Sequence, residues 1–233
     1  MAVQDDRREL EICALLGLRR GEGRSEMDAF LDFEDSAGIS RSCPIEIKST
    51  TTGSIATARD VGLNHINKWR QQVWVFGFYD RSGTDLLRTL VLGPAEMESW
   101  ISRIESYIAP DIAIGERMAE KLSLQDLHII CGEKNPYRRS DAESIMKKQW
   151  TKARYESEMD VDGGYSPAKM LEILKLRALY LNERGSTLNN PHIPKSFFSR
   201  FADGVLDLGA LDARTLREKA QSTIRRAALQ ALL

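Results

Sequence analysis

Between residues 4 and 49 the spacing of apolar side chains switches from a helical period to a period of two, and this constrains the fold more than any other feature. Residues 4–20 place Leu10, Ala14, Leu15 and Leu18 at helical spacing with charges between them, and Gly21 and Gly23 follow as a stop. From Met27 the period is two. Met27, Ala29, Leu31 and Phe33 are apolar, Asp28 and Asp32 take the other parity, and only Phe30 interrupts. Residues 35–42 are rich in Ser and Gly and read as a turn. Alternation then resumes over residues 44–49, with Ile45 and Ile47 opposite Glu46 and Lys48. A helix followed by an antiparallel hairpin is expected.

The remaining elements follow from the same rules. Residues 50–57 are a polar loop, and residues 58–72 a helix with Val61, His65 and Trp69 on one side. Residues 73–79, Val-Trp-Val-Phe-Gly-Phe-Tyr, form a near-continuous apolar run, as in a strand buried on both faces, and residues 86–92 form another. Pro94 starts a helix that carries Met97, Trp100, Ile101, Ile104 and Ile108. Beyond Pro110 the pattern is helical over residues 140–152, 166–183 and from Asp212, a plausible N-cap, to the end. Residues 184–195 contain two prolines and are expected to be irregular. The expected architecture is α/β: a central mixed sheet flanked by helices over residues 1–110, then a largely helical region over residues 111–233, possible as one continuous domain.

The formal net charge of −1 hides an asymmetry. Residues 1–136 carry 16 Lys and Arg against 22 Asp and Glu, whereas residues 137–233 carry 17 against 12. The basic second part suits an anionic partner. No run approaches the ~20 apolar residues of a membrane span. The first residues lack the basic-then-apolar order of a signal peptide, so an intracellular, cytoplasmic location is expected. Cys13, Cys43 and Cys131 are odd in number and scattered, matching neither a disulfide framework nor a zinc pattern, and are read as buried small apolar residues.

Glu46 and Lys48 share a strand face, which on its own is common on surface strands. The preceding strand makes them informative. If the hairpin pivots near residues 37–38, pairing partners sum to about 75, and Asp28 falls beside Glu46 and Lys48. Two carboxylates held that close repel each other unless a cation or proton lies between them, and oxygen ligands of this kind suit Mg²⁺. The backbone carbonyl of Ile47 offers a third oxygen. A metal there would activate a phosphodiester, with Lys48 orienting water or stabilising developing charge.

An Asp on one strand, a turn and Glu-x-Lys on the next, with a helix before and a helix and strand after, resembles the PD-(D/E)XK nuclease superfamily, especially type II restriction endonucleases. The resemblance covers roughly residues 8–92. It implies a restriction-endonuclease-like fold in a prokaryotic setting, with Asp28 and Glu46 as metal carboxylates and Lys48 as catalytic lysine. Met27 stands where the family often has Pro. The family's additional acidic residue on the first helix would be Glu11 or Glu9, and Glu11 is taken as the catalytic candidate. The hydroxyls of Ser49, Thr50 and Thr51 follow the lysine as in the family and are candidates for phosphate contact; a solvated turn explains them equally well.

Further candidates for DNA contact are Arg59, Asn64, His65, Lys68 and Arg70 in or beside the next helix. Asn189, Asn190, His192 and Lys195 lie in the proline-stiffened segment, where Asn can read adenine edges and Lys can meet guanine or phosphate. Arg138, Arg139, Lys147, Lys148 and Lys152 form a basic group whose alternative reading is a solvated face. The expected function is Mg²⁺-dependent, site-specific cleavage of double-stranded DNA by a homodimer without an organic cofactor. Its rivals are a repair or recombination nuclease that reads DNA shape, and a non-catalytic DNA-binding protein whose Glu46–Lys48 pair is only an ion pair.

Overall fold

The computed structural model of the chain describes residues 2–21, 27–57, 61–185 and 191–231. Helix α1 (Ala2–Leu16) ends at Gly17, whose φ of 66° is left-handed, and Leu18 donates its N–H to the Cys13 carbonyl at 2.9 Å. This is a glycine cap that closes the last turn. It stops the helix before Gly21, where the sequence placed the end.

Strands β1 (Arg19–Arg20), β2 (Ala29–Glu34), β3 (Ser40–Thr50) and β4 (Ile55–Ala56) precede helix α2 (Leu63–Trp69). Next come β5 (Val73–Tyr79), β6 (Leu86–Leu92) and α3 (Pro94–Lys121). Helices α4 (Leu124–Cys131), α5 (Arg139–Met146), α6 (Lys152–Ser157) and α7 (Pro167–Gly185) follow. The chain closes with β7 (His192–Ile193), α8 (Lys195–Phe198), a 3-10 helix (Ser199–Gly204), β8 (Val205–Asp207) and α9 (Ala213–Gln230). No helix among the described residues is long and apolar enough to cross a membrane.

Six strands form a mixed sheet in the order β1-β2-β3-β5-β6-β8. Every neighbouring pair is antiparallel except β3 and β5, which run parallel. Parallel neighbours need a crossover, and α2 lies within it. β5 is buried along its whole length, as its unbroken apolar run requires. On one face of the sheet Ile45, Ile47, Val73 and Val75 pack with Ile12 and Leu16 of α1 and Leu216, Ala220 and Ile224 of α9. On the other, aromatic rings interlock: Trp69 with Trp74 at 5.7 Å between centroids, Trp74 with Trp100 at 5.9 Å, and Phe76 with Phe198 at 4.9 Å.

Several expectations need correction. The buried stripe of α1 is Ile12, Cys13 and Leu16; of the expected residues Leu15 and Leu18 pack into the core, whereas Leu10 and Ala14 face solvent. Helix α3 continues through Pro110, because Ile101, Ile108, Ile112 and Ala119 extend one buried stripe along it. Residues 192–193 are a short strand paired with β4, since Ile55 and Ile193 are both fully buried opposite each other. Cys13 and Cys43 are buried, but Cys131 is only half-buried.

The chain divides into two units, one made of Met1–Arg59, Leu63–Glu105 and Asn189–Leu233, the other of Asp60–Gly62 and Ser106–Leu188. The expected boundary near residue 110 is therefore replaced by an insertion. Residues 189–233 belong with the sheet because α9 supplies part of the core on its α1 face. The second unit has its own core around Leu127, Tyr137, Tyr155, Tyr165 and Met170. There the Tyr165 hydroxyl donates to the Tyr155 carbonyl at 2.7 Å.

Candidate functional site

The hairpin register places the site. Ala29 pairs with Ile45 and Asp32 with Ser42, a sum of 74 that brings Asp28 level with Glu46. β2 pairing ends there, so the β2-facing backbone of Ile47 meets side chains instead. Its N–H is accepted by Asp28 Oδ2 at 2.9 Å, and its carbonyl accepts from Lys48 Nζ at 3.1 Å. Met27, where the resemblance allows Pro, is held by buried Gln72, whose Nε2 lies 2.7 Å from its sulfur.

The Lys48 ammonium therefore sits among three oxygens: Glu46 Oε1 at 2.7 Å, Ile47 O at 3.1 Å and Asp28 Oδ2 at 3.4 Å. Glu46 is buried and Asp28 and Lys48 are half-buried, with Lys48 bordering a cleft of about 240 Å³. Burial by itself would push the Lys48 ammonium toward losing its proton. Glu46 and Asp28, the hydrogen bond to Glu46 and the charge of Glu9 together outweigh it and hold Lys48 above the ordinary lysine range.

Glu9 lines this cleft together with Ile47, Lys48, Ser49, Ala56 and Thr57. Its carboxyl is pushed up to about 7, first by burial and next by the neighbouring Asp28 charge, against the opposing pull of Lys48. Glu11 points elsewhere and accepts a hydrogen bond from the Tyr79 hydroxyl at 3.0 Å. The first-helix carboxylate of the site is thus Glu9, in place of Glu11, because α1 turns the 9, 13, 16 face inward.

Of the hydroxyls after Lys48, Ser49 lines the cleft, but Thr50 is buried in its own loop. Thr50 Oγ1 donates to the Ser54 carbonyl at 2.7 Å and accepts from the N–H groups of Thr52 and Gly53, both at 3.1 Å. That commits its hydroxyl to the turn. Thr51 is half-buried beside it.

Asn64 is exposed and Lys68 half-buried on α2, and His65 lies against the Trp69 ring at 6.1 Å. Arg70 is paired with Glu98 and Glu105, at 3.0 and 2.6 Å. His192 is exposed on β7 opposite Ala56, and the methylenes of Lys195 face Gly53. Asn189, Asn190 and Arg59 lie outside the described residues. In the second unit Arg139 binds Glu143 at 2.7 Å and Lys152 approaches Glu156 at 3.8 Å, so part of that basic group is neutralised internally.

No family model matches the chain, and no curated protein is similar to it. The chemistry therefore has to be read from the site. Among the described residues no three His, Cys, Asp or Glu side chains are grouped to hold a metal ion. The donor set that does converge is two carboxylates and a carbonyl around one cation. It is made only of oxygens, as a hard divalent ion requires. Asp28, Glu46 and the Ile47 carbonyl are thus the groups whose chemistry would suit such an ion.

Proposed function

We propose that this chain is a Mg²⁺-dependent endonuclease of the restriction-endonuclease-like fold, acting on double-stranded DNA as a homodimer in the prokaryotic cytoplasm. The observation that carries this reading is the convergence of Asp28, Glu46 and the Ile47 carbonyl on a single cation, Lys48 Nζ, where the pairing of β2 with β3 ends. An antiparallel hairpin followed by a parallel crossover strand, with helices on both faces, supports the fold assignment.

Asp28 Oδ, Glu46 Oε and the Ile47 carbonyl would hold Mg²⁺, which supplies charge to polarise a phosphodiester and to offset negative charge on the departing oxygen. Lys48 would hydrogen-bond a non-bridging phosphate oxygen or the entering water. Water oxygen joins phosphorus, the P–O bond to the leaving sugar oxygen breaks, and a proton passes to that oxygen. Glu9, with a pKa near 7, is placed to take the proton that water gives up. Ser49 borders the cleft and would help seat the phosphate.

The test is incubation with bacteriophage DNA and Mg²⁺, together with thermal unfolding in Ca²⁺. Discrete fragments are expected from the wild type, and none from Asp28→Ala or Lys48→Ala. Ca²⁺ should raise the melting temperature of Lys48→Ala more than that of the wild type, because the variant lacks the internal cation. A smear would favour a nuclease that reads shape. No cutting of methylated or unmethylated DNA, with no effect of Ca²⁺, would leave at most a binding protein.

A further inference from the structure

A second concave site lies in the sheet-bearing unit, built by α3 and the segment after β7. Ser99 and Arg103 contribute from α3, Ser196 and Arg200 from the other side, and Trp100 and Phe197 form its floor, enclosing about 300 Å³. Both aromatic residues are buried, whereas both arginines are exposed.

Arg200 is held in place. Its Nη2 donates to Ser99 Oγ at 3.0 Å, and its guanidinium lies 4.6 Å from the Phe197 ring centre and 5.4 Å from that of Phe201. Neither contact neutralises its charge. Arg103 follows Ser99 by one turn on the same face of α3. The nearest acids along that helix, Glu98 and Glu105, face the other way and are both bound by Arg70. Among the described residues neither arginine, nor Lys195, which lies outside this pocket against Gly53, forms an ion pair with a carboxylate.

The site connects to the cleft at Lys48 through a continuous stretch of backbone. Thr57, on the cleft wall, donates its N–H and hydroxyl to the Pro191 carbonyl at 3.0 and 2.9 Å, and Ala56 pairs with His192. Trp100 Nε1 donates to the His192 carbonyl at 3.2 Å, tying the same stretch to α3. Lys195 then lies over Gly53 of the loop that follows Lys48, and Ser196 and Arg200 come next along the chain.

Two guanidinium groups around one concavity repel each other unless an anion bridges them, and an apolar floor strengthens the attraction for that anion. A phosphodiester suits the arrangement. Its tetrahedral oxygens can accept from both forks and from serine hydroxyls together, and its chain can continue toward Lys195 and the cleft. We infer that Arg103, Arg200 and Lys195 bind the phosphodiester backbone of the DNA strand flanking the bond held at Lys48. This rests on the nuclease reading above.

The experiment measures binding of a fluorescent duplex by anisotropy, with Ca²⁺ replacing Mg²⁺, as a function of salt. The double variant Arg103→Ala, Arg200→Ala should reduce the slope of log K against log salt by about 2, and weaken binding roughly 10- to 100-fold at physiological ionic strength. Arg81→Ala, in the turn after β5, serves as the charge control and should leave the slope unchanged. Lysine at both positions should retain most of the slope, which guards against a folding defect in the alanine variant. An unchanged slope and affinity in the double variant, alongside wild-type cutting that Lys48→Ala abolishes, would overturn this inference and leave the nuclease reading standing. A slope that depends on the pocket without any cutting would overturn the nuclease reading and with it the placement of the bound strand beside Lys48, leaving a phosphodiester-binding site alone. A wild type that neither binds nor cuts DNA would remove both.

Discussion

Glu9 shows how a single carboxyl reports its surroundings. It lies half-buried beside Asp28, so its proton is retained to about pH 7, whereas an unfolded chain releases it near 4.5. The folded state therefore binds more protons than the unfolded state between those values, and stability falls as pH rises through that window. The contribution is fully present below 4.5 and lost above 7. After discounting for partial exposure, the loss is about 2 kcal/mol, or roughly 4–8 °C in melting temperature. Glu9→Gln, which cannot ionise, should melt with that much less dependence on pH between 5 and 8. A Glu9→Gln profile parallel to that of the wild type would disprove the burial. The sequence offered both Glu9 and Glu11, and the choice was illegible because Leu10 and Ala14, which the apolar spacing turned inward, face solvent. Asp28, Glu46 and Lys48 were legible because alternation and turn length fix a hairpin register to within a residue, and the observed sum of 74 preserves the grouping.

Elements of this fold are tied together by contacts far apart in sequence, and the end of α1 is the clearest case. Its last carbonyls have no partner within the helix. Arg217 of α9 donates to the carbonyls of Leu15 and Ala14, both at 2.8 Å, and Gln221 donates to that of Leu16 at 2.8 Å. A guanidinium at a helix C-terminus also meets the negative end of the helix dipole. Arg217→Ala should destabilise the protein by about 1–2 kcal/mol, whereas Arg214→Ala, three residues earlier and paired only with exposed Glu218, should cost under about 0.5 kcal/mol. Equal costs in urea denaturation would show that the α1 end is not held this way. The Asp212 cap of α9 was readable from the chain alone, since its carboxylate accepts from Thr215 N only three residues on, at 2.9 Å. The Arg217 clamp and the two-residue strands β4 and β7 were not. Nothing local in a sequence announces a partner 202 or 203 positions away, and strands of two residues are too short to show a period.

For the whole molecule, the inserted unit raises the question of assembly. Alternating and helical periods identify which residues are apolar, not what they pack against, so α9 could not be assigned to the sheet before its partners were seen. The same ambiguity has a use for α3. In the second unit Ile108, Ile112 and Ala119 are buried, yet Tyr107, Ile114 and Met118 form another face of the helix that remains 74%, 56% and 65% exposed. A contiguous exposed apolar patch can mark an interaction surface. If the chain cuts both strands of a duplex in one encounter, as the nuclease reading proposes, a second Asp28–Glu46–Lys48 group would have to come from another copy. The α3 face is therefore expected to meet its own equivalent across a two-fold axis. Ile114→Glu with Met118→Glu should turn a dimer into a monomer in sedimentation equilibrium while leaving the thermal transition in place. On supercoiled plasmid the same variant should nick one strand where the wild type linearises. A wild type that sediments as a monomer at all concentrations, or a double variant that remains dimeric, would place the two-fold contact elsewhere or remove it, and double-strand cleavage would then have to proceed by two independent encounters.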